Sequence, residues 1–69
     1  MVEVFKTNIY EPDEAQHVIS KLHHYLPDAR INFDLDDCDK ILRVENSTID
    51  IEKLVSLLNG TGYQCEVLE

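Results

Sequence analysis

Lys6-Thr7-Asn8-Ile9-Tyr10-Glu11-Pro12-Asp13-Glu14 reads as a strand end, a turn and a helix start. Val2 to Ile9 alternates and is rich in β-branched and aromatic residues, which predicts a strand. Phe5, Thr7 and Ile9 share one face, and Val2 and Val4 share the other, so this strand is expected to be covered in part on both sides. Pro12 suits the first turn of a helix, where its missing N–H has no partner to lose. Asp13 and Glu14 put negative charge at the positive end of the helix dipole. Downstream, Ala15, Val18, Ile19, Leu22 and Leu26 recur at steps of three and four, the stripe of an amphipathic helix. Pro27-Asp28 is expected to end it.

Beyond that helix, Ile31, Phe33 and Leu35 alternate with Asn32 and Asp34, a half-buried strand. Asp36-Asp37-Cys38-Asp39 has the composition of a turn, and Ile41 to Glu45, with Leu42 and Val44 in phase, completes a hairpin. Ser47 to Asp50 has the Ser-x-x-Asp spacing of a capping box. Ile51, Leu54, Val55 and Leu58 form the buried stripe of a second helix, and Asn59-Gly60 is its expected C-cap, with Gly60 free to take positive φ. Tyr63, Cys65 and Val67 alternate in a last short strand. The order strand, helix, strand, strand, helix, strand predicts an α+β fold of ferredoxin-like βαββαβ plan. Right-handed crossovers put both helices on one face of a four-stranded antiparallel sheet. Residues 1–69 are read as a single domain.

A chain of 69 residues buries only about 60% of its surface. That leaves little interior for a deep pocket, which argues against an enzyme. Fourteen acidic residues against six basic ones give a net charge of −8. Such a surface repels nucleic acid and favours a cationic partner or a cation, with plain solubility as the simpler explanation. Cys38 and Cys65 are too few for a disulfide framework. Met1 to Ile9 lacks the apolar stretch of a signal peptide, and no run approaches the roughly 20 apolar residues of a membrane span. A cytoplasmic protein with reduced thiols is expected, so the sequon Asn46-Ser47-Thr48 carries no meaning there.

The motifs resemble those of small heavy-metal-associated domains of the copper-chaperone type. That family runs Phe-Lys-Thr-Asn-Ile, one residue, then Cys-x-x-Cys; here Phe5-Lys6-Thr7-Asn8-Ile9 and Tyr10 are followed by Glu11-Pro12-Asp13-Glu14. Val18 and Leu22 match the apolar helix positions after the second cysteine. Asp39 to Glu45 is similar to the family's third strand, and Gly62-Tyr63 resembles the Gly-Tyr or Gly-Phe before its last strand. The resemblance covers nearly the whole chain. It implies the same fold, but the departure falls on the ligands. Family members pass copper(I) or zinc between thiolate pairs. Soft thiolates select those ions whereas carboxylates suit harder ones, so no copper(I) is expected at Glu11 and Glu14.

Two functional readings follow. Glu11, Glu14 and His17 stand at three-residue spacing, neighbours on a helix, and Glu14-Ala15-Gln16-His17 matches the Glu-x-x-His step of carboxylate metal sites. This is a candidate open site for zinc, manganese or iron(II), although an acidic helix end beside an exposed histidine explains the same residues. The leading reading is a non-enzymatic binding module in which Asn8, Tyr10, Glu11, Asp13, Glu14 and His17, the old metal-loop surface, meet a protein with a basic patch. His23 and His24 are read as surface residues near the helix's negative end. Asp34, Asp36, Cys38 and Glu45 fall at calcium-hand spacings, but the required glycine is Asp39 and the segment runs into a strand. Cys65 is expected in the core, and Cys38, between two aspartates, is a poor nucleophile. No Gly-x-Ser-x-Gly elbow or phosphate loop is present.

Overall fold

The computed structural model describes residues 1–68. The elements run β1 (Val2–Thr7), α1 (Pro12–Tyr25), β2 (Arg30–Asp34), β3 (Ile41–Glu45), α2 (Ile51–Gly60) and β4 (Cys65–Val67). The strands form one antiparallel sheet in the order β2-β3-β1-β4. This is the α+β, ferredoxin-like arrangement that the alternation of strand and helix patterns predicts.

Strand phase sets the core. Phe5 pairs with Leu42 and Val67, Thr7 with Cys65, and Ile31 with Val44, all toward the helices. Ala15, Val18 and Leu22 of α1 and Leu54 and Leu58 of α2 join Phe5, Leu42 and Val44 in one buried cluster, so both helices cover the same face. The opposite face carries Val2, Val4, Lys6, Ile41 and Arg43 by the same phase. Ile41, at the start of β3, is buried there, Val4 is half-buried and Val2 is exposed, so the expected cover on both sides is only partial.

Helix ends differ from the sequence expectation in two places. The second helix begins at Ile51 with Asp50 as its N-cap, accepting the Lys53 N–H at 3.2 Å, instead of at a Ser47 capping box. Ile49 packs on the core from the position before the cap, and Leu54 is the fourth helical residue, the two places of a hydrophobic staple. That apolar constraint selects Asp50 over Ser47. At the other end Gly60 stays helical and Gly62 takes the positive φ, +94°. The Tyr63 N–H bonds the Leu58 carbonyl and the Gly62 N–H bonds that of Asn59. This is the Schellman pattern, which requires a left-handed residue two positions after Gly60. The first helix ends at Tyr25, and the His23 ring Nε2–H donates to the Ala29 carbonyl at 3.0 Å, tying down the connection to β2.

Among the described residues, no helix is long and apolar enough to cross a membrane.

Candidate functional site

Antiparallel pairing brings three connections to one end of the sheet. Lys6 opposes Ile41 and Thr7 opposes Cys65, so the β1–α1 turn lies beside the β2–β3 hairpin and the α2–β4 loop. Glu11, Asp13 and Glu14, at the first turn and the start of α1, and Asp34, Asp36, Asp37 and Asp39, at the end of β2 and in the hairpin, therefore crowd the same end. They are half of the chain's fourteen acids.

Hydrogen bonds fix the turn that carries Tyr10. The Thr7 hydroxyl donates to the Lys40 carbonyl at 2.6 Å and accepts the Ile9 N–H at 3.2 Å. The Thr7 N–H reaches the Asp39 carbonyl. The Asn8 Oδ1 accepts the Gln64 N–H at 2.9 Å, fastening the turn to the α2–β4 loop. The strand stops at Thr7, but the core phase continues: Ile9 is fully buried, and Tyr10, in the opposite phase, is 63% exposed. Lys40, in the left-handed region at φ 48°, donates from Nζ to the Leu35 carbonyl at 2.7 Å and lies 5.4 Å from the Tyr10 ring centroid. One lysine thus links the hairpin to the ring by a hydrogen bond and a cation–π contact.

The residues singled out by sequence separate into two groups. Asn8, Tyr10, Glu11, Asp13 and Glu14 surround the turn. Glu11 is the exposed N-cap of α1 and its side chain makes no capping bond, while its carbonyl accepts the Ala15 N–H. Glu14 is half-buried beside the Tyr63 phenol, whose pKa is raised by loss of solvent first and by the Glu14 carboxylate second. His17 lies farther along α1, where it lines a hollow with Lys21 and Tyr25. Glu11, Glu14 and His17 therefore do not converge on one point. Among the described residues, the metal-capable group of three is Asp37, Cys38 and Asp39, with donor atoms within 4.8 Å of one another. It is held by local bonds: the Asp37 Oδ1 accepts the Asp39 N–H at 2.8 Å, and Asp39 stands 3.8 Å from the Lys6 ammonium. That exposed ion pair adds little stability.

Sequence reading missed the Lys40–Tyr10 stack and the Asn8–Gln64 bond. Each joins segments far apart in the chain. The available signal was Asn8 itself, a polar residue between the core-phase Thr7 and Ile9.

The thiols differ as their positions dictate. Cys38 is exposed and Cys65 half-buried, with burial pushing the Cys65 thiol up to about 11. Since the thiolate is the reactive form, native protein at neutral pH is expected to take up one equivalent of a thiol reagent at Cys38. Cys65 should react only on unfolding or as the pH approaches its raised pKa. Peptide mapping of the labelled protein checks this, and faster labelling of Cys65 would place β4 in another register.

Comparison with protein families, with characterised proteins and with solved structures finds no match to this chain.

Proposed function

We propose that this chain is a small non-enzymatic binding module, a degenerate relative of heavy-metal-associated domains, whose acidic end docks a protein with a basic surface. The observation that carries the reading is Tyr10, 63% exposed on a turn fixed at Thr7 and Asn8. An exposed aromatic ring on a fixed turn, with Lys40 against it and acidic residues at the same end of the sheet, has the makings of an interface anchor: apolar area at low entropic cost, with charges that steer a cationic partner. Asn8, Glu11, Asp13 and Glu14 flank it along the turn and the first turn of α1. The two reduced thiols suit the cytoplasm.

The second reading, a harder divalent ion held by Glu11, Glu14 and His17, ranks lower because the donor atoms that lie together among the described residues are those of Asp37, Cys38 and Asp39. Copper(I) is not expected at this turn, since carboxylates do not select it.

Tyr10→Ala separates a docking role from a structural one. The ring is exposed, so the substitution is expected to cost less than about 1 kcal/mol of stability, most of it the Lys40 contact. Against a lysine-rich probe peptide it should weaken binding at least about tenfold, as loss of an interface anchor does. Glu11→Gln and Glu14→Gln should mainly slow association and reduce its salt dependence. Loss of about 3 kcal/mol in a denaturant titration of Tyr10→Ala, as for a buried aromatic, would make the ring structural and remove the anchor.

A further inference from the structure

The two helices rest on different strands, α1 on β2 and α2 on β4. Between them runs an open groove lined by His17, Ser20, Lys21, His24, Tyr25 and Leu57. Its floor is apolar, made by the half-buried Tyr25 and Leu57. Lys21 stands on the α1 side. Lys53 of α2 reaches over the floor, with Nζ 5.7 Å from the Tyr25 ring centroid. Among the described residues no carboxylate lines this groove, in a chain of net charge −8. The hollow at the acidic end of the sheet includes Glu66, and the one between α1 and β2 includes Asp34 and Asp36.

We propose that this groove docks an amphipathic helix of a partner protein, with an apolar stripe on Tyr25 and Leu57 and acidic residues facing Lys21 and Lys53. Charge complementarity selects the acidic flanks: the groove is a cationic trough in an anionic molecule. The shape of its walls selects a helix. Helix sides offer ridges for a third helix to pack against and no strand edge to which an extended peptide could add itself. The stretch of α1 that lines the groove, His17 to Tyr25, spans about 13 Å, room for a helix of roughly two to three turns. This surface is separate from Tyr10, and either assignment can fail alone.

The test titrates 15N-labelled protein with three synthetic peptides: a leucine stripe at helical spacing flanked by glutamates, the same stripe flanked by lysines, and a glutamate peptide with the leucines scrambled. The expected result is saturable shifts from the first peptide alone at the amides of His17 to Tyr25 and Lys53 to Leu57. Lys21→Glu with Lys53→Glu, both exposed positions, should weaken that binding about tenfold or more while the circular dichroism spectrum stays unchanged. Equal binding of the lysine-flanked or scrambled peptide in the groove would overturn the proposal. So would an unchanged affinity in the double variant. Shifts at these amides on concentrating the protein alone would show that a second copy fills the groove, and would overturn it too.

Discussion

Phe5→Ala is expected to leave the domain largely unfolded in buffer without denaturant. Phe5 is fully buried on a central strand, paired on one side with Leu42 and on the other with Val67. Truncating a buried phenylalanine costs about 3–5 kcal/mol, the sum of lost transfer energy and the cavity left behind. At roughly 0.05–0.15 kcal/mol per residue, a chain of this length holds on the order of 3–10 kcal/mol in total, and small domains sit low in such a range because they bury less of their surface. The loss therefore rivals the whole stability. Urea titration followed by circular dichroism measures it. Val2→Ala, on the exposed end of the same strand, should change stability by about 0.5 kcal/mol or less and serves as the control. A Phe5→Ala midpoint close to that of the parent would mean that the core is not built on this strand.

Thr7→Val has the second largest expected effect, and it reaches the proposed docking surface. Valine keeps the shape of threonine and loses its hydroxyl. That hydroxyl both donates to the Lys40 carbonyl and accepts the Ile9 N–H, so its loss leaves a buried donor and a carbonyl without partners. An unsatisfied buried group costs about 1–3 kcal/mol, and the pair should cost about 2 kcal/mol or more. Thr7→Ser keeps both bonds and should recover most of the loss. Amide exchange adds a local reading: the Ile9 N–H should lose protection in Thr7→Val beyond what the global destabilisation explains. Unchanged stability in Thr7→Val would mean that the turn is held by backbone pairing alone. Binding of the lysine-rich peptide should weaken as well, since a looser turn no longer presents Tyr10 in one orientation.

Local periodicity made most of this architecture legible. The alternation through Phe5, Thr7 and Ile9 correctly identified buried side chains even where the strand itself stops at Thr7, because Ile9 enters the core from the turn. The hairpin strand Ile41–Glu45 falls where its alternation placed it. The misses lie where a non-local or competing contact decides. Ser47 had suitable spacing for a cap, but the Ile49–Leu54 staple positions moved the cap to Asp50. Gly60 had the right residue type, but the Schellman bonds from Gly62 and Tyr63 let the helix include it. At the candidate site, the acidic first turn of α1 was plain in the sequence. Its junction with the acidic hairpin was not, since only the antiparallel pairing of β1 with β3 brings residues 11–14 and 34–39 to one end. The basic lining of the interhelical groove was hidden for the same reason: Lys21 and Lys53 belong to different helices.

The docking account is tested most directly by parallel 15N titrations of the parent protein with a lysine-rich peptide and with zinc. The account predicts saturable peptide shifts at Asn8, Tyr10, Glu11, Asp13 and Glu14. Raising the salt concentration should suppress them, because exposed charges are screened over about 8 Å at physiological ionic strength. Zinc should give no saturable shifts at Glu11, Glu14 and His17. One equivalent of zinc saturating those three residues, with the peptide leaving the Tyr10 turn unmoved, would contradict the docking account and establish the metal reading in its place.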